Sequence, residues 1–70
     1  MLLSEITPNT QVTVISFDDT DLELKLLEFG INIGSKLTVE RKAPFGGPIL
    51  LITQNGKLAL RKDEASQLTV

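Results

Sequence analysis

The chain has 70 residues, no cysteine, no histidine and a net charge of −2, so it has neither disulfides nor the imidazole and thiolate ligands of ordinary zinc sites. Its 41% hydrophobic content includes three phenylalanines and no tyrosine or tryptophan, so the core is expected to be aliphatic. A chain this short can hardly enclose a substrate cavity of the usual ~300–1,000 Å³, and without His or Cys it has no nucleophilic triad.

Residues 1–6, MLLSEI, lack the basic region of a signal peptide and allow at most one helical turn before Pro8-Asn9. QVTVISF, residues 11–17, is rich in β-branched side chains and reads as a strand. The acids Asp18, Asp19 and Asp21 then favour a helix N-terminus, and Thr20 with Glu23 has capping-box spacing. The helix is expected to run to about Phe29, with Gly30 free to turn left-handed past its end. Leu22, Leu26 and Phe29 follow the i, i+4, i+7 pattern of a buried stripe. Leu24 and Leu27 fall off that stripe, so either the helix is covered on more than one side or it presents apolar surface.

A turn at residues 31–34 leads into a strand over residues 36–42, in which Leu37, Val39 and Arg41 share a face. That strand is expected to leave the core near Arg41. APFGGP, residues 43–48, follows. Pro44 and Pro48 stiffen its ends, and Gly46-Gly47 supply positive-φ freedom for the reversal. Phe45 at its tip either folds down onto the core or points outward as a contact. Residues 49–53, ILLIT, read as a strand apolar enough to be covered on both faces. Asn55-Gly56 is a hairpin signal in which both residues need positive φ. A fourth strand at residues 57–61, one helical turn near residues 63–66 and a short closing strand at 68–70 complete the chain. Five short strands with one helix after the first describe a small bent barrel whose closure hides its strand edges.

The longest apolar run, residues 49–52, is far below the ~20 residues of a membrane helix, so a soluble cytoplasmic protein without membrane insertion is expected. Charge is unevenly distributed. Residues 1–35 carry six acids against Lys25 alone, a balance of −5, and residues 36–70 carry six bases against three acids, a balance of +3. Two charged poles can orient the domain against a partner. The bases lack an accompanying aromatic ladder, which argues against nucleic acid. The acids at residues 18–23 lack the calcium-loop pattern and are accounted for by helix capping, although a hard cation on this cluster would be the chemistry of a metal chaperone. No catalytic, cofactor or metal site is expected, which leaves a binding module acting through its surface.

The segments KLLEFGINIGSKLTVERKAPFGGPILL and GKLALRKDEASQLTV resemble the FeoA family over essentially the whole chain. The matching boxes are Leu26-Leu27-Glu28-Phe29-Gly30, residues 34–39, residues 43–48 and residues 58–65, and Leu3-Ser4-Glu5-Ile6 also fits. The resemblance implies a mainly β, SH3-like barrel in a single domain, residues 1–70. It also implies a role in bacterial ferrous iron uptake, through binding the cytoplasmic part of a FeoB-like permease that carries a cytosolic GTPase domain. Within the same fold, the alternative is a stand-alone regulatory or weakly self-associating module, related to the C-terminal domain of DtxR-type metal-dependent repressors. Leu24, Leu27, Pro44, Phe45, Gly46, Gly47, Pro48 and Arg61 are the expected partner contacts. The chain departs from the family pattern at Gly47, where an acid is common, at Phe45, where leucine is usual, and at Leu24, often polar.

Overall fold

The computed structural model describes residues 1–70. Its strands are β1 (Thr10–Thr13), β2 (Ser16–Phe17), β3 (Lys36–Lys42), β4 (Ile49–Thr53), β5 (Gly56–Leu60) and β6 (Leu68–Thr69). The helices are α1 (Thr20–Leu27) and the single turn α2 (Lys62–Ala65), and Leu3–Glu5 form a short 3-10 turn. β1, β3, β4 and β5 form one antiparallel sheet in that spatial order, while β2 pairs with β6 in a second. The architecture is the expected mainly β, SH3-like barrel.

The expected first strand is broken in two. Val14 still faces the β3 side, exchanging bonds with Ser35 and Gly34, but Ile15 donates to the Thr69 carbonyl at 2.8 Å. The chain changes partner between these two residues and so passes from one sheet into the other. Consequently β1 and β5 remain the edges of the four-stranded sheet, rather than being hidden by full closure. Leu2 bridges to Thr69, and Val70 donates to the Met1 carbonyl at 2.8 Å, so the first and last residues lie side by side.

Thirteen residues are buried, all of them aliphatic, and no polar side chain joins them. Leu22 and Leu26 supply the inner face of α1, Leu37 and Val39 that of β3, and Ile49 and Leu51 that of β4. β4 is therefore covered on one face only, with Ile52 exposed on the other. A bulge between Val39 and Arg41 turns Arg41 outward, so β3 leaves the core where the alternation indicated.

The N-cap of the main helix differs from expectation, whereas the glycine beyond its other end is left-handed as expected. The N-cap of α1 is Asp19, whose carboxylate accepts the Asp21 N–H at 3.2 Å, and Thr20 is already helical. At the other end Gly30 takes φ +77°, its N–H bonds the Leu27 carbonyl, and the Ile31 N–H bonds that of Leu26. This is a Schellman closure. It ends the helix before Phe29, which is 43% exposed, and Ile31 takes the expected place in the core. The β4–β5 turn is made by Gln54 and Asn55, because Thr53 pairs with Gly56, and of the Asn-Gly pair only Gly56 has positive φ. Asn55 instead donates its side-chain amide to the Phe29 carbonyl at 2.9 Å, pinning the hairpin to the helix end.

Candidate interaction surface

The β3–β4 connection is built around one tight turn. The Ala43 N–H bonds the Pro48 carbonyl at 2.9 Å and the Gly47 N–H bonds that of Pro44 at 3.2 Å. Between them Phe45 and Gly46 have φ of 61° and 73°, the signature of a type I′ turn. The positive angles therefore fall on Phe45 and Gly46, not on the glycine pair. Gly47 is needed for a different reason. A Cβ there would lie 2.7 Å from that of Ala43 and 3.2 Å from the Pro44 carbonyl oxygen, so the loop closes on itself only with a glycine.

Phe45 is fully exposed, so of the two placements its side chain takes the outward one. Four cations surround the loop. Arg41 is exposed and makes no ion pair, and Lys42 donates to the Ser4 carbonyl at 2.7 Å. The Lys62 stem lies 3.7 Å from where a Gly46 Cβ would stand. Arg61 approaches Asp63 only at 3.6 Å, with both side chains largely exposed. Gly46, Gly47, Arg61 and Lys62 line an open cleft of about 510 Å³ in which Asp63 is the single acid.

The outer face of α1 makes a second patch. Leu24 and Leu27 are 58% and 52% exposed, and at ~100° per residue Leu24 points almost directly away from Leu22 and Leu26. Asp21 and Glu28 flank the two leucines on one side and Glu23 on the other, and all three acids are exposed. Lys25, the only base of the helix, is turned aside and binds Glu64 at 2.7 Å. That bond, followed by the Arg61 backbone N–H on the same carboxylate, holds the Glu64 carboxyl below its ordinary value.

The sequence-predicted contacts thus form two patches, Leu24 with Leu27 and residues 44–48 with Arg61. α2 touches both, through Glu64 to Lys25 and through Lys62 to Gly46. Lys62 was not among the predicted contacts. Its signal was the excess of base in the second half of the chain, but only the fold sets it against the loop. Ile15 and Ile33 are also exposed without having been singled out. Around Asp18, Asp19 and Asp21 no group of three potential metal-ligating side chains gathers.

Comparison with solved structures gives close matches. The FeoA protein of Chlorobium tepidum is 33% identical with a TM-score of 0.89, over 99% of this chain and 67% of that one. The FeoA of Stenotrophomonas maltophilia, solved with zinc and described as a prokaryotic SH3 domain protein and candidate activating factor for ferrous iron transport, is 31% identical. Its TM-score is 0.84, over 100% of this chain and 88% of that one. A manganese-dependent transcriptional repressor shares the fold at 20% identity and a TM-score of 0.85, over 97% of this chain and 39% of that one. No curated protein sequence matches. The FeoA domain model matches residues 1–70, and the chain belongs to the FeoA family.

Proposed function

We propose that this chain is a non-enzymatic accessory of bacterial ferrous iron uptake that works in the cytoplasm by docking on the cytosolic part of a FeoB-type permease. Family membership supplies the iron context, and the S. maltophilia relative is described in the same terms. The observation that carries the docking reading is Phe45: fully exposed, in a left-handed backbone conformation, on a loop stiffened by two prolines. Strained residues persist where the surroundings over-determine them and cluster at functional sites. Aromatic residues and arginine are enriched at protein interfaces, and Arg61 lines the cleft beside Gly46 and Gly47 of the same loop. No helix is long and apolar enough to cross a membrane, which suits a partner that docks on a permease rather than forming part of it.

The test is a titration of the isotope-labelled protein with the cytosolic domain of FeoB. Amides of residues 45–47, Arg61 and the Leu24–Leu27 segment are expected to shift, and Phe45→Ala is expected to abolish the change. Unchanged amide spectra at high partner concentration would overturn the proposal.

A further inference from the structure

The two patches described above are complementary to each other. One is the loop that projects Phe45, with Arg41 and Lys42 lining a cleft against Pro44 and Pro48, and Arg61 and Lys62 lining another against Gly46 and Gly47, where Asp63 is the single acid. The other is a pair of exposed leucines bordered by Asp21, Glu23 and Glu28, with the only helix base already taken by Glu64. Elsewhere Lys57 is taken by Glu40 at 3.1 Å, so the loop cations are left without carboxylate partners of comparable quality. Knob and apolar stripe match in character, and their rims match in charge.

We propose that two copies of this chain associate through these patches, the Phe45 loop of one copy seating on the Leu24–Leu27 face of α1 of the other. Such a contact joins unlike surfaces. It closes as a reciprocal twofold dimer if both pairs engage together, and otherwise runs head to tail. The apolar area is a few side chains per contact, well short of the ~1,600 Å² of a standard stable interface, so the association is weak and reversible. Both patches are also expected FeoB contacts, so self-association would hide Phe45 until a partner competes for it. The pairing itself does not depend on the FeoB reading.

Amide spectra and sedimentation velocity of the full chain, from ~0.02 to ~1 mM at low salt, test it in a range that populates weak contacts. Expected are concentration-dependent shifts at residues 21–28, 41–43, 45–47 and 61–62, with a rising weight-average sedimentation coefficient. Both should collapse at ~0.5 M salt, where the Debye length is only a few ångströms. Phe45→Ser and the double variant Leu24→Ser/Leu27→Ser change exposed residues only, so each is expected to fold and to remain monomeric. Labelled Phe45→Ser protein mixed with unlabelled double variant pairs the one intact helix face with the one intact loop. Its α1 amides should shift again while its loop amides stay still. Concentration-independent spectra up to ~1 mM would overturn the proposal, and so would association that survives both variants or a mixture that restores no shift.

Discussion

Phe45 leaves on the surface a side chain whose burial is worth ~1.5–3 kcal/mol, and it does so at φ 61°, where Cβ crowds the following carbonyl at a cost of ~1–2 kcal/mol. Phe45→Gly removes both features without touching the core. Its melting temperature is expected to be unchanged or higher, by up to ~1 kcal/mol of added stability, while partner binding is lost. A fall in stability comparable to a core deletion would show that the ring packs. Gly47 behaves oppositely. Gly47→Ala drives a methyl group against Ala43 and the Pro44 carbonyl and is expected to cost ~1–3 kcal/mol, with part of that recovered by Ala43→Gly in the double variant. Chemical denaturation of the four proteins measures the coupling. The sequence already showed a loop stiffened at both ends and reversed in the middle. It did not show which residues take the positive angles, because Ala43 and Pro44 exclude a side chain at Gly47 only once the strands on either side have set the register.

At the scale of elements, β3 and β4 lie where alternation and apolar run length placed them, since each is decided by side chains facing the core. The first strand split because its second half pairs with the far end of the chain, which no local pattern reports. On α1 the cap moved from Thr20 to Asp19 and the end from Phe29 to Leu27. Acids at successive positions compete for the cap, and the glycine closure needed Ile31 as its buried anchor. The Leu24–Leu27 patch was legible as a departure from the stripe, whereas its charged rim depended on where Lys25 turned. Lys25 and Glu64 connect the two helices. Because the folded state holds the Glu64 carboxyl below its ordinary value of 4.5, it favours the charged form. The resulting stability is complete above the unfolded-state value and is lost as the pH falls through the lower folded one. Lys25→Met is expected to destabilise by ~0.2–1 kcal/mol at pH 7, the range for an ion pair at the surface. That difference should shrink as the pH drops below the ordinary glutamate range. Melting temperatures of both proteins across the acid range check this.

For the molecule as a whole, composition foretold an aliphatic core, and all thirteen buried residues are aliphatic. None of the three phenylalanines is fully buried, which leaves Phe45 free for a surface role. With so few core residues each one matters. Leu26→Ala, at a fully buried site, is expected to cost ~2–5 kcal/mol, a large share of the ~5–15 kcal/mol that holds a typical domain together. Equilibrium denaturation reads it directly. The pairing of Leu2 with Thr69 and of Met1 with Val70 has a consequence for synthesis. Strand β2 has no strand to pair with until Leu68 and Thr69 have been synthesised, and Leu68 is itself part of the core. Residues 16–17 therefore stay without a strand partner while the four-stranded sheet, whose last strand ends at Leu60, can already form. The second sheet closes only in a late step that brings together strands far apart in sequence, a costly loop closure for so small a domain.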